Sequence, residues 1–152
     1  MNNNLFQYCP KFVIFSQDHK KIILGKRKNE QDYNAVFSFF GGKMQNSDVD
    51  ILSAIRREKI EELGNKCWIE LFPLYSTNYF FVKRDGNHMV VPHYYSRFVG
   101  GEIILSNEYS EYQWVELFDL NVFEPKIETI PEAVSRVLIL SQLIREDQLV
   151  RI

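Results

Sequence analysis

The chain has 152 residues, of which 45% are hydrophobic and 25% charged, so it is long enough to form one domain around a substantial core. Its formal net charge of −2 excludes the basic surplus of a protein that binds nucleic acid non-specifically. Cys9 and Cys67 are too few for a disulfide framework and lack the spacing of a zinc site. The sequence shows neither a signal peptide nor an apolar run approaching the ~20 residues of a membrane span. We therefore expect a single cytoplasmic domain over residues 1–152.

Most of the chain predicts short β-strands, because runs of β-branched and aromatic residues alternate with turn residues. The predicted strands cover residues 11–15, 21–24, 35–40, 68–74, 78–83, 89–99, 102–105 and 113–117. The first two form a hairpin, and Asp85-Gly86-Asn87 predicts a turn. Pro92 has no N–H to donate, which places the strand over residues 89–99 at a sheet edge or a bulge.

Two segments predict α-helices. Residues 50–63 are rich in Leu, Ala, Ile, Arg, Glu and Lys and are followed by Gly64, as at a helix C-terminus. The candidates to cap the N-terminus of this helix are Ser47, Asp48 and Asp50. Residues 129–132 resemble a capping box with an early proline, and they open a second, largely apolar helix to about Ile144. The order of elements predicts an α+β fold with a mixed sheet flanked by helices.

Three carboxylates crowd one side of the first predicted helix. Glu58 lies three residues before Glu61 and four before Glu62, so the three are neighbours on a helix surface. Their repulsion costs roughly 0.2–0.5 kcal/mol per pair, and the helix dipole disfavours anions in the last turn. Arg57 relieves part of this cost by pairing with Glu61 at i+4. The cluster is either a solvated acidic helix end or a site for a hard divalent cation.

Around these glutamates the chain resembles the signature of the Nudix hydrolase family, G-x5-E-x7-R-E-U-x-E-E-x-G-U, where U is aliphatic. The matching positions are Gly42, Arg57, Glu58, Glu61, Glu62 and Gly64. Fourteen residues separate Gly42 from Arg57, whereas the pattern has thirteen, so the loop carries one extra residue. Val49 stands where the pattern has its loop glutamate, and Asp48 and Asp50 are the candidate replacements.

The resemblance implies an α/β/α sandwich and a hydrolase that cleaves a phosphoanhydride in a nucleotide-like substrate. The implied metal ligands are Glu58, Glu61 and Glu62, with Arg57 orienting them through a salt bridge. Mg²⁺ is the expected ion, with Mn²⁺ as a substitute, because carboxylate oxygens are hard ligands. The implied catalytic residues are Glu58, Glu61, Arg57 and the general base Glu108, with Glu111 in reserve. The implied phosphate contacts are Arg27, Lys43 and the backbone at Gly41-Gly42.

Nucleoside triphosphates are expected slightly ahead of nucleotide sugars, because the chain has no inserted domain to hold a large second group. Residues 80–82 also lack the proline of the family's ADP-ribose enzymes. Two alternatives remain: a nucleotide-sugar hydrolase, such as a GDP-sugar glycosyl hydrolase, and a non-catalytic nucleotide-binding Nudix module. For His88 and His93 we expect packing or surface roles. The sequence leaves a homodimer open and predicts neither a membrane nor a nucleic-acid partner.

Overall fold

The computed structural model describes residues 5–152. Within that range the chain forms one nine-stranded sheet and two α-helices. The strands are β1 (Phe6–Tyr8), β2 (Lys11–Phe15), β3 (Lys21–Arg27), β4 (Phe37–Ser38), β5 (Cys67–Leu71), β6 (Thr77–Val82), β7 (His88–Gly101), β8 (Tyr109–Glu116) and β9 (Val150–Arg151). The helices are α1 (Ile51–Leu63) and α2 (Ile130–Ser141). No helix in residues 5–152 is long and apolar enough to cross a membrane.

The sheet is mixed, as predicted. Its main path runs β4-β3-β2-β7-β5-β9, while β1 and β6 pair with β7 and β8 pairs with β3. The β1–β7 and β2–β7 pairs are parallel and the others are antiparallel. The predicted hairpin is confirmed by the antiparallel pairing of β2 with β3.

Two hydrophobic cores lie on opposite faces of this sheet, because side chains alternate between faces along each strand. In β2, Val13 and Phe15 join the core that contains Val134 and Val137 of α2. Phe12 and Ile14 join the other core, which contains Ile55 and Leu63 of α1. The α/β/α sandwich expected from the family resemblance is thereby confirmed.

The first predicted helix is confirmed, and Asp50 is its cap. The Asp50 side chain accepts a hydrogen bond from the Ser53 amide at 2.7 Å, and the Ser53 hydroxyl pairs with the Asp50 backbone. The second helix ends at Ser141, earlier than expected, and Thr129 makes no side-chain capping bond. The capping box predicted there is wrong.

Several of the predicted strands differ from the structure; the strand over 68–74 is Cys67–Leu71 and that over 113–117 is Tyr109–Glu116. The strand expected over residues 35–40 shrinks to Phe37–Ser38, and residues 102–105 form no strand. The latter segment runs along the end of α1, where the amides of Glu102 and Ile104 donate to the carbonyls of Lys66 and Leu63. The Leu63 carbonyl is one of those that a helix end leaves unpaired, and the Ile104 amide supplies its partner.

Pro92 lies in the central strand β7, which corrects the expectation of an edge or a bulge. On one side it stands opposite Asn78 of β6. On the other side β1 ends opposite Val90 and β2 begins opposite His93, so Pro92 falls at the break between two neighbours. A residue without an N–H is tolerated in a central strand at such a break, because no ladder partner is present there.

Candidate active site

A cavity of about 760 Å³ opens between α1, the sheet and the loops that follow β3 and β4. Most of the site residues predicted from the sequence line this cavity: Arg27, Gly42, Lys43, Glu58, Glu61 and Glu108. The other three, Gly41, Arg57 and Glu62, are not among its lining residues. The volume is within the range of small-molecule sites in proteins. The fold thus brings residues from four separate stretches of sequence to one place.

Arg57 organises the acidic end of the cavity. Its Nη1 donates to Glu58 Oε1 at 2.7 Å and to Glu61 Oε2 at 3.3 Å. Two carboxylates therefore converge on one guanidinium nitrogen, in the orienting role that the sequence suggested. The Arg57 Nη2 also donates to the carbonyl of Lys43 at 3.1 Å. This bond connects α1 to the glycine loop, Gly41-Gly42-Lys43.

The two candidate replacements for the missing loop glutamate have other functions. Asp48 accepts hydrogen bonds from Arg57 Nε at 3.0 Å and Nη2 at 2.9 Å, and its side chain is only 4% exposed. These bonds from Arg57 lower the pKa of the Asp48 carboxyl. Asp50 caps α1, and Val49 between them points into solvent with 92% exposure. Neither aspartate lines the cavity, so Asp48 supports the site through Arg57 and not from within.

Gly41 and Gly42 are required for different reasons. Gly41 has φ of 122°, and a Cβ there would lie 2.2 Å from the Pro10 carbonyl oxygen, so the backbone itself demands glycine. A Cβ on Gly42 would lie 2.5 Å from the Glu58 carboxyl group. The Glu58 carboxylate therefore occupies the space that a side chain at position 42 would need.

Glu62 faces away from the cavity. Its side chain accepts hydrogen bonds from the Gly41 amide at 2.7 Å and from the Tyr109 hydroxyl at 2.7 Å. Burial raises its pKa, and the positive charge of Lys11 opposes that rise. At about 100° per residue, Glu61 and Glu62 fall on opposite sides of Glu58, and the packing of α1 buries only the second of them. Helix spacing alone did not distinguish the two.

The cations of the cavity are partly engaged with carboxylates. Arg27 Nη2 donates to Glu108 Oε2 at 3.0 Å, and Arg27 Nε lies 3.4 Å from Glu30 Oε1. Lys43 is exposed on the loop after β4. Lys11, which the sequence did not single out, donates from Nζ to the carbonyl of Gly41. No pattern in the sequence marks Lys11, because its place depends on the pairing of β2 with β7.

The two candidate general bases differ in position. Glu108 lines the cavity, and its side chain is 59% exposed. Glu111 does not line the cavity and pairs with Lys26 at 3.4 Å. A carboxylate that is to receive a proton from water beside the substrate must reach the cavity, which favours Glu108.

His93 also lines the cavity, among aromatic rings. It is 6% exposed, and its ring meets those of Phe39 and Tyr79 edge-on at 5.3 and 5.1 Å between centroids. Burial lowers the pKa of His93 to about 4, so the ring is neutral at physiological pH. Its Nδ1 lies 3.0 Å from the Val91 carbonyl oxygen, so one ring nitrogen is engaged by the backbone. His88 is exposed and touches Phe6 and Phe80.

Glu58 and Glu61 suit a hard cation whose other coordination positions are filled by water and by oxygens of the substrate. In residues 5–152 no group of three or more His, Cys, Asp or Glu side chains is arranged to hold a metal ion. Mg²⁺ is commonly bound through one or two carboxylates, with water and phosphate oxygens filling the other positions. The pair Glu58 and Glu61, side by side at the cavity, fits that mode.

Solved structures share this fold at low sequence identity. The MutT protein from Methanosarcina mazei Go1 gives a TM-score of 0.73 at 18% identity, covering 93% of this chain and 99% of that one. A C. elegans Ap4A hydrolase binary complex gives 0.72 at 15% identity, covering 91% and 99%. The NUDIX domain of Shewanella oneidensis NrtR, complexed with ADP ribose, gives 0.66 at 16% identity, covering 92% and 90%.

No curated protein matches the sequence at a significant level. The family model described as the NUDIX domain matches residues 11–136, which is most of the chain and includes both the glycine loop and the glutamate helix. Together with the α/β/α sandwich, this match shows that the chain belongs to the Nudix family and is a Nudix hydrolase.

Proposed function

We propose that this enzyme hydrolyses the phosphoanhydride of a nucleoside triphosphate, releasing nucleoside monophosphate and pyrophosphate. The observation that carries the proposal is the convergence of Glu58 and Glu61, held together by Arg57, on the cavity that also contains Arg27 and Lys43. Carboxylates beside cations are the arrangement that a metal-bound polyphosphate requires, because the metal needs anionic ligands and the phosphates need positive charge.

The carboxylate cluster is Glu58, Glu61 and Glu62. Within it the metal is assigned to Glu58 and Glu61, because Glu62 is engaged by the Gly41 amide and the Tyr109 hydroxyl. A bound Mg²⁺ would neutralise phosphate charge and promote attack by water. Arg57 holds Glu58 and Glu61 in place, and Lys43 and Arg27 bind the phosphate oxygens. Mn²⁺ would substitute, since it accepts the same oxygen ligands.

Glu108 is assigned as the general base. Water attacks phosphorus, its proton passes to the Glu108 carboxylate, and the anhydride bond breaks with pyrophosphate as the leaving group. Arg27 pairs with Glu108 at 3.0 Å and so fixes the carboxylate at the wall of the cavity. The same guanidinium is assigned to the phosphates, and this shared contact would couple the position of the base to that of the substrate.

The nucleoside is assigned to the aromatic part of the cavity. Phe39, Tyr79, Phe80 and Phe81 line it on the side of β4 and β6. Aromatic rings bind any base through stacking and apolar contact, so they set an affinity without fixing the identity of the base. A cavity of about 760 Å³ is large enough for a single nucleotide.

A substrate panel tests the proposal. Nucleoside triphosphates and nucleotide sugars are incubated with Mg²⁺ in ¹⁸O-water, and the products are identified by mass spectrometry. We expect nucleoside monophosphate plus pyrophosphate from triphosphates, with ¹⁸O on a phosphate. Label in a sugar hydroxyl, together with unlabelled nucleoside diphosphate, would overturn attack at phosphorus and establish the glycosyl-hydrolase alternative.

A further inference from the structure

Lys11 lines the cavity and has no carboxylate partner within residues 5–152. Among residues 5–152 it forms no ion pair, and its Nζ donates instead to the carbonyl oxygen of Gly41. It lines the cavity at the first position of β2, whose parallel pairing with β7 sets it beside His93. The Gly41 carbonyl therefore fixes where this positive charge lies.

Two members of the carboxylate cluster, Glu62 and Glu58, lie against the same dipeptide, Gly41-Gly42. The amide of Gly41 donates to Glu62 at 2.7 Å, and the Glu58 carboxyl group lies 2.5 Å from where a Cβ on Gly42 would stand. Two carboxylates and one ammonium group thus converge on Gly41-Gly42. The Gly41 carbonyl thus holds an ammonium group in the same cavity as carboxylates that suit a hard cation.

The electrostatic environment agrees with this geometry. Burial is the main cause of the low pKa of His93, and the positive charge of Lys11 lowers it further. Lys11 therefore places a positive charge inside the cavity, where it offsets part of the negative charge of the nearby carboxylates.

We propose that the Lys11 ammonium group is an internal counter-cation, which is held by the Gly41 carbonyl near the carboxylate cluster and is displaced when a divalent ion binds. The inference rests on the proposed function in placing that ion at the carboxylate cluster. A lysine is suited to this role, because its ammonium group is a point charge on a flexible stem. Lys11 stabilises the metal-free protein and lowers its affinity for the metal.

Metal binding without substrate tests the inference. Mn²⁺ alone is titrated calorimetrically into the full-length wild type and into Lys11→Met and Lys11→Gln, and the melting temperature of each is measured with and without Mn²⁺. The Gln variant keeps a hydrogen-bond donor while removing the charge. Lys21→Met is the matched control, since Lys21 pairs with Glu116 at 3.2 Å, away from the cavity.

We expect both Lys11 variants to bind Mn²⁺ roughly tenfold more tightly, because a like charge near the ion is removed. Their metal-free forms should melt earlier than the wild type, and saturating Mn²⁺ should close most of that gap. A purely structural lysine would lower the melting temperature equally with and without metal. That result, or Mn²⁺ affinity equal to or weaker than wild type in the Lys11 variants, overturns the inference.

The substrate panel judges the proposed function separately. An enzyme that cleaves no triphosphate, but whose Lys11 variants bind Mn²⁺ more tightly, would contradict the proposed reaction and support the counter-cation. Triphosphate cleavage with unchanged Mn²⁺ affinity in the variants would do the reverse.

Discussion

Replacing Gly42 by alanine would place a methyl group where the Glu58 carboxylate now lies. The added Cβ would be 2.5 Å from three atoms of that carboxyl group, whereas ordinary contact begins at 3.4 Å. The carboxylate must therefore retreat by about 1 Å. The backbone of Gly42, unlike that of Gly41, is not in the left-handed region, so alanine introduces no strain of its own.

The expected loss is catalytic and not structural. A displacement of about 1 Å at a reacting centre costs on the order of 100-fold in rate. Weakening the partly exposed Arg57–Glu58 ion pair costs about 1 kcal/mol of folding free energy, and the lower entropy of the unfolded chain offsets roughly 0.4–1 kcal/mol of that. The melting temperature should therefore shift by no more than about 2–4 °C.

Gly41→Ala is the matched contrast, because its Cβ would meet the Pro10 carbonyl oxygen at 2.2 Å and its φ of 122° strains any other residue. That variant should lose stability by about 3 kcal/mol or more. The assay is Mg²⁺-dependent pyrophosphate release over a range of metal concentrations, with thermal unfolding in parallel. Wild-type turnover in a folded Gly42→Ala protein would refute the argument that Glu58 must occupy this position.

Three further outcomes are expected. Glu61→Gln should remove most of the turnover and leave the fold intact, since the side chain is 55% exposed; Mg²⁺-dependent turnover near wild type would exclude Glu61 from the metal site. Glu108→Gln should lower kcat by about 10²–10⁴-fold while Glu111→Gln changes it little, and equal rates for Glu108→Gln and wild type across the pH range would disprove the assignment of the base. Burial lowers the pKa of His93 from 6.5 to about 4, so the protein takes up a proton on unfolding at any pH between these two values. The free energy of unfolding should therefore fall by about 3 kcal/mol as the pH drops from 6.5 to 4. Denaturant titrations at both pH values should show that His93→Gln removes this fall and that His88→Gln keeps it, whereas parallel curves for His93→Gln and wild type would contradict the buried neutral ring.

The order of the elements and the position of α1 were determined by local sequence, and the family was indicated by the resemblance of residues 42–64 to its signature. Spacing places Arg57, Glu58 and Glu61 on adjacent turns of one helix, and the glycines around them mark where the chain must turn. These features depend on residues within a few positions of each other, so periodicity and turn chemistry suffice to predict them. The same reasoning failed for residues 102–105, where hydrogen bonds to the end of α1 replaced a strand.

Only the tertiary structure decided which acidic side chains line the cavity and which contact other parts of the protein. Glu61 and Glu62 are adjacent in sequence, yet one opens on the cavity and the other is buried against Tyr109, because only the packing of α1 on the sheet distinguishes its two sides. Asp48 faces Arg57, which the sequence did not predict, and only the structure selected Asp50 from the three candidate caps. Lys11 reaches the Gly41 carbonyl from a strand thirty residues earlier. Contacts between residues so far apart follow from strand pairing and core packing, and no local pattern in the sequence encodes them.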